Sequence, residues 1–241
     1  MAVALWCNPF VEAPKKTRKT IRASFCRMRL GAAVRLYLCL LALYQVLRYV
    51  QPTPFFIFDP DVLHKCALQA VAFSTTNTTE RIDYLMGLLR EIYPGRIVDG
   101  QIWSFNNAGG VMGSMVMVHV SVTEYIIIFG TALGSNGHSG RFLLDDYFMV
   151  LEGEQWTQRA GDTEMWRFEP GSINHLPKGE AFQYRMPGRC YAMEYARGWI
   201  PTMMPFGIVE VFTSTLDFHT LWKTLWIYTK LVTWNLVTGK V

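Results

Sequence analysis

Leu30–Val50, LGAAVRLYLCLLALYQVLRYV, runs for 21 residues without an acid. As a helix it would span roughly 31 Å, about the thickness of a bilayer core. Its two charges, Arg35 and Arg48, sit near the ends, where long stems can reach the interface. Gln51-Pro52-Thr53-Pro54 then ends the helix. Upstream, Lys15, Lys16, Arg18, Lys19, Arg22, Arg27 and Arg29 form a basic cluster in the extension 1–29. Three readings compete: a transit peptide, a cleaved signal sequence and a retained single-pass anchor. The extension is long for a signal sequence, so the anchor at 30–50 is preferred. The Lys/Arg bias then places the N-terminus in the cytosol and the body across the membrane. Asn77-Thr78-Thr79 is a glycosylation sequon, which a lumenal body allows.

The charge is divided unevenly. Residues 1–50 hold nine Lys/Arg and one acid, Glu12, whereas the remainder holds 14 bases and 18 acids. A body of net negative sign lacks the clustered cations that bind nucleic acid. Hydrophobic residues make up 51% of the chain and charged residues 17%, which excludes a disordered chain. The five Cys (7, 26, 39, 66 and 190) contain no CxxC pair. They therefore suggest neither a disulfide framework nor a zinc site.

After the anchor, residues 51–100 read as a helical segment. Asp61 is a candidate cap for a helix with Leu63, Ala67, Ala70 and Val71 on one face. A second helix is predicted over Glu80–Ile92 from Ile82, Leu85, Leu88 and Leu89. Between 101 and 201 the texture becomes β-rich. Candidate strands are Met115–Val122, Tyr125–Phe129, Asp146–Leu151, Glu164–Phe168, Ala181–Met186 and Cys190–Tyr195, a pattern of sandwich or barrel. Residues 202–241 return to helix, with Ser214-x-x-Asp217 resembling a capping box. Beyond it Phe218, Leu221, Trp222, Leu225, Tyr228, Leu231 and Val232 recur three or four apart. Such a stripe packs on a core or lies on a membrane surface.

The familiar chemical motifs are missing. Asn106–Gly110 and Gly130–Gly140 are Gly-rich but match neither GxGxxG opening a helix nor GK[ST], and read as tight turns. No HxH, HExxH or GxSxG occurs. The informative residue is Glu194. On a strand it shares a face with Cys190, Ala192 and Ala196, and small neighbours leave space for something to approach a carboxylate. An interior face would raise its pKa; an outward, wet face is the ordinary alternative for a strand glutamate. Of Asp145 and Asp146, the second shares parity with Phe148 and Val150 and is the inward candidate, although a turn acid preceding a strand is the commoner pattern.

Six segments carry a family likeness: WSFNNAGGVMGSM (103–115), SVTEYIIIFGTALGSNGHSGR (121–141), DDYF (145–148), PGSINHLPKGEA (170–181), MEYARGWIP (193–201) and FTSTLDFHTL (212–221). In these the chain resembles the family of C-8 sterol isomerases (fungal-type sterol delta-8 to delta-7 isomerases) and the sigma non-opioid intracellular receptor. DDYF, Gly153-Glu154-Gln155 and GWIP resemble the enzyme branch. The chain departs from that branch at Asn174, where the isomerases carry a second His before the position of His175.

The resemblance implies an α+β, mainly β fold: a cupin-like β-barrel with an N-terminal transmembrane helix and two C-terminal membrane-associated helices covering the pocket. It implies Glu194 as the key acid, with a partner acid on or near Asp146. Tyr125 would hydrogen-bond the glutamate, and His175 is a further supporting candidate. Trp103, Val111, Met115, Phe129 and Met186 match or neighbour pocket-wall positions. Cupin metal ligands are absent from the family, receptor-type members form homo-trimers, and the reaction needs no redox cofactor. The implied setting is the endoplasmic reticulum membrane, with a sterol as substrate and cationic amphiphilic amines as inhibitors. The competing function is that of the receptor branch: binding hydrophobic amines or sterols without turnover.

Overall fold

The structure, a computed structural model, describes residues 15–241, with side chains from Gly31 onward. Residues 1–14 of the basic extension lie outside the described residues, and residues 15–29 are described as helical backbone alone. Helix α1 (Lys15–Tyr49) forms one unit and Gln51–Val241 another, and each is described by itself. Within α1, Gly31–Tyr49 has a mean hydropathy of 1.3 and is long and apolar enough to cross a membrane. Its apolar side chains, among them Leu36, Leu38, Leu40 and Leu43, are exposed.

The second unit begins with α2 (Pro60–Ala72) and α3 (Thr78–Ile92). The cap of α2 is Asp59 rather than Asp61: the Asp59 side chain accepts from the Asp61 N–H, and Pro60 takes the first helical position, where no N–H is needed. Asn77 caps α3, its side-chain oxygen accepting from the Thr79 N–H, so the sequon asparagine also starts a helix.

Ten strands follow: β1 (Ser104–Ala108), β2 (Val111–Val120), β3 (Glu124–Thr131), β4 (Ser135–His138), β5 (Leu144–Glu152), β6 (Gln155–Gln158), β7 (Trp166–Phe168), β8 (Ile173–Leu176), β9 (Gln183–Met186) and β10 (Cys190–Gly198). They form a six-stranded sheet, ordered β1-β2-β3-β10-β5-β8, and a four-stranded sheet, ordered β4-β9-β6-β7. All pairings are antiparallel. The stretches read as Gly-rich turns are partly strand. Asn106-Asn107-Ala108 lie in β1 and Ser135–His138 form β4, leaving Gly109-Gly110 as the turn. Glycine is required there by contact: a Cβ on Gly137 would meet the Gly109 carbonyl at 2.2 Å, and one on Gly109 would meet the His138 carbonyl at 2.3 Å.

The six-stranded sheet is buried on both faces. On one, α2 and α3 bring Leu63, Leu85 and Leu89 against Ile126, Ile128, Met149, Met193 and Tyr195. Burying each such leucine or isoleucine contributes about 2 kcal/mol. On the other face, Val111, Met115, Phe129, Val150, Cys190, Ala192 and Ala196 meet Met186 of the smaller sheet.

The C-terminal segment is α4 (Met204–Glu210), a π-helical turn at Val211–Thr215, and α5 (Phe218–Val237). Met203, Phe206, Tyr228, Leu231 and Val232 from this segment pack on the inter-sheet core. The reversal between the helices places Leu216 at φ 53°. The capping box contracts to one residue, since Asp217 itself caps α5 by accepting from the Thr220 N–H.

Candidate functional site

The site is built on three adjacent strands, β3, β10 and β5. Tyr125, Ala196 and Asp146 form one rung across them. One rung along stand Ile127, Glu194 and Phe148. Period-2 alternation puts all six side chains on the inter-sheet face, so Glu194 has both Tyr125 and Asp146 as diagonal neighbours. Ala196, which lies between Tyr125 and Asp146, carries only a methyl group.

Two cavities meet at Glu194. The larger, with about 230 Å³ open to the centre of a water molecule, is lined by Met112, Met115, Met117, Ile127 and Tyr125 together with side chains of α4 and α5. The smaller, about 100 Å³, is lined by Asp146, Phe148, Gln155, Asn174 and Tyr184 among others. Glu194 lines both, as do Asn106, Ala108, Met203 and Phe206. Glu194 and Asp146 are partly accessible, and that surface opens onto these cavities.

The electrostatics follow from this enclosure. Desolvation raises the Glu194 pKa above the usual carboxylate value, while the Tyr125 hydroxyl, donating to Glu194 Oε1, pulls it back. Asp146 is pushed well above its ordinary value, first by desolvation and then by the charge of Glu194, with the Tyr147 amide opposing. Its Oδ1 is buried without a hydrogen-bond partner among the described residues. Burial and the same two carboxylates also raise Tyr125 and Tyr184 well above an ordinary phenol. Two desolvated acids that resist ionisation therefore share one cavity, each disfavouring the charge of the other.

The expected site residues are distributed unevenly about this centre. Glu194, Asp146 and Tyr125 converge. Val111 and Met115 line the cavities, while Phe129 and Met186 pack in the surrounding core without lining either. Trp103 is not brought to the site: it packs against the helix-side core, its ring edge-on to Tyr191 at 6.4 Å. His175 is also on the outside, stacked on Tyr147 at 4.4 Å with Nε2 3.2 Å from Asp145 Oδ1. Strand parity is the reason. On β8, Asn174 and Leu176 point to the smaller cavity and His175 points away. Sequence reasoning missed Asn174, Gln155 and Tyr184. The signal for Tyr184 was its parity with Met186; Gln155 and Asn174 lie in short polar strands with no apolar alternation to orient them. Among the described residues no three His, Cys, Asp or Glu gather as a metal site.

A family model described as ERG2 and Sigma1 receptor like protein matches residues 34–240. The C-8 sterol isomerase of Pyricularia oryzae is 46% identical over 188 residues, 77% of this chain and 85% of that protein. The C-8 sterol isomerase of Neurospora crassa is 41% identical over 217 residues, 88% of this chain and 84% of that one. Sigma non-opioid intracellular receptor 1 of Gallus gallus is 39% identical over 146 residues, 59% of this chain and 65% of the receptor. Among solved structures, an RmlC-like cupin from Shewanella frigidimarina overlaps 42% of this chain and 89% of its own, at 14% identity and a TM-score of 0.36.

Proposed function

This chain belongs to the ERG2 and Sigma1 receptor like protein family, and from that membership and the geometry around Glu194 we propose that it is a C-8 sterol isomerase, shifting a ring double bond from delta-8 to delta-7. The enzyme relatives match more of the chain than the receptor relatives do, which favours catalysis over binding alone. The observation that carries the chemical reading is the convergence of Glu194 and Asp146 on one cavity, with Glu194 also facing the larger, apolar one, and with both pKa values raised by burial.

The reaction is a proton exchange. One carboxylic acid delivers its proton to carbon 9, and the π electrons of the carbon 8–carbon 9 bond form the new C–H bond. A tertiary cation is left at carbon 8. A carboxylate then takes a proton from carbon 7, and the electrons of that C–H bond close the carbon 7–carbon 8 double bond. The sterol keeps its formula, and the pair ends with one proton, as it began. An alkene is a very weak base, so the donor must be protonated near neutrality and water must be kept out. Mutual repulsion of two desolvated acids supplies the first condition, with one neutral and one charged. The charged partner stabilises the cation through a medium of low dielectric. Tyr125 fixes the orientation of Glu194 and lowers its basicity.

A sterol is confined to lipid, and Gly31–Tyr49 supports membrane anchoring of the enzyme. A cytosolic N-terminus follows the basic bias of the head, and endoplasmic reticulum residence follows the family resemblance. The exposed Trp222, Trp226 and Trp234 of α5 support a membrane-facing C-terminal segment through which substrate reaches the larger cavity. Cationic amphiphilic amines would inhibit by imitating the carbocation. The deciding experiment is complementation of a cell lacking its sterol delta-8 isomerase. Restoration of delta-7 sterols supports the enzyme; amine binding without restoration would replace it with a receptor-like role.

A further inference from the structure

Glu194 divides two unlike spaces. The larger cavity is walled chiefly by methionine, isoleucine, valine and the side chains of α4 and α5. The smaller one is a chamber on the far side of the carboxylates, and Asn174, Gln155, Tyr184, His138 and Ser139 bring polar atoms to it. Some of these are already satisfied. The Ser139 hydroxyl receives the Phe182 N–H and donates to the Gly140 carbonyl, and His138 Nδ1 receives the Gly140 N–H.

Asn174 and Gln155 are different. They are 7% and 3% exposed, and they bridge the two sheets through Asn174 Nδ2 donating to Gln155 Oε1 at 2.8 Å. That bond leaves Asn174 Oδ1, an acceptor, and Gln155 Nε2, a donor, without a partner among the described residues. Buried amide groups rarely stay unpaired, because each loses its bonds to water. A hydroxyl is the simplest group that satisfies both, since it donates once and accepts as well.

We propose that this chamber is the recognition subsite for the sterol 3-hydroxyl, which donates to Asn174 Oδ1 and accepts from Gln155 Nε2. The inference rests on the sterol isomerase reading. Register supports the spacing. Glu194, Phe148 and Asn174 lie in one rung across β10, β5 and β8. Two strand intervals separate Glu194 from Asn174 by about 10 Å. That backbone separation exceeds the reach from the reacting carbons to the 3-hydroxyl, which leaves length for the two side chains that face them. The substrate therefore enters hydroxyl first, ring A fills the chamber, the delta-8 bond stops beside Glu194 and Asp146, and the alkyl tail remains in the larger cavity between α4 and α5. The orientation is set by the polar groups of the smaller chamber.

Two measurements on the full-length enzyme in membranes test this. In the first, the wild-type protein is photolabelled with a delta-8 sterol that keeps its 3-hydroxyl and carries a diazirine at carbon 2 of ring A. Label on the peptides of β6, β8 or β9 is the expected result; label on α5 would mean the reverse orientation and overturn the proposal. In the second, kcat/KM is compared for a delta-8 sterol and its 3-deoxy analogue. A site built around a hydroxyl rejects the analogue lacking it, so wild-type enzyme should lose roughly 10²-fold or more. Asn174→Leu and Gln155→Met should each bring the ratio of the two substrates below about tenfold. Equal turnover of both sterols by the wild type, or a wild-type ratio retained by both variants, would remove the subsite and leave the isomerase in place. Absence of turnover with either sterol would remove the isomerase reading, and the subsite with it.

Discussion

The Tyr125 hydroxyl donates to Glu194 on the cavity face of the six-stranded sheet, and directly behind it the same two strands make the reverse contact. There Tyr195 donates to Glu124 Oε1 at 2.6 Å. Adjacent residues of β3 and β10 thus form two tyrosine–carboxylate pairs, one on each face. The rear carboxylate is fully paired: it accepts from the Ile57 and Phe58 amides and from Lys240 Nζ at 2.5 Å. The front carboxylate has its tyrosine and the cavity. The same chemistry is structural on one side and available for reaction on the other.

Glu194→Gln and Asp146→Asn should each lower isomerase turnover by roughly 10²-fold or more, the range of positioned acid–base catalysis. The two act as a unit, so the double variant should lose little beyond the worse single one. Turnover in membranes at matched protein level checks this. Near-normal turnover in either variant would sink its proposed role.

The two variants should also change how stability depends on pH. The folded protein holds a proton on this pair where the unfolded chain has already released it, so stability falls as pH rises from the ordinary carboxylate range through the raised values. Removing either acid should flatten that decline and raise the melting temperature near neutrality, despite the lost activity. Thermal melting of the ligand-free protein over roughly pH 5–8 measures it.

His119 acts in the opposite direction. Burial pushes its imidazole down to about 4, with Nδ1 held against the Arg96 carbonyl at 2.7 Å. The unfolded chain takes up a proton first, so stability is lost as pH falls from the ordinary histidine value of about 6.5, by about 3 kcal/mol in full. His119→Gln should remove this acid-side slope in the same melting series and leave the Asp146-dependent slope intact.

Tyr125→Phe removes the hydrogen bond that restrains the basicity of Glu194. The alkaline or acid limb governed by this carboxylate in the kcat profile should move to higher pH, and kcat should fall more than KM changes. An unchanged pH profile would show that the phenol only fills space.

Lys240→Met should destabilise the protein by about 3–5 kcal/mol, because it strands the Glu124 charge in the interior. Lys240 and Glu124 are 2% and 0% exposed, and the ammonium also donates to the Phe55 carbonyl. Adding Glu124→Gln to the lysine variant should recover part of the loss in urea or thermal unfolding. A single variant within 1 kcal/mol of wild type by either method would contradict the argument.

The acidic centre was legible from sequence because a strand repeats every second residue: Cys190, Ala192, Glu194 and Ala196 share a face, and Asp146 shares one with Phe148. What alternation did not reveal was that Tyr191, Met193 and Tyr195 face a second core, since the helices covering them lie over 90 residues earlier. The short strands β1, β4, β6 and β8 were missed because Asn, Gly, Ser, Gln and His dominate them, and only pairing to neighbours makes them strands. His175 was favoured over Asn174 by family pattern, whereas the register of β8 against β5 turns Asn174, and not His175, toward the smaller cavity. The Glu124–Lys240 pair spans 116 positions and leaves no local trace.

Because both sides of β10 are occupied, the strand has no spare side to absorb an error. Loss of one residue near its start would slide every later side chain through the sheet. The phenol of Tyr195 would then confront the sterol, and the carboxylate of Glu194 would be forced among the leucines of α2 and α3. The enzyme's chemistry and its folding thus hang on the same count of residues, and length changes in this segment should be purged from any functional library even where point substitutions survive.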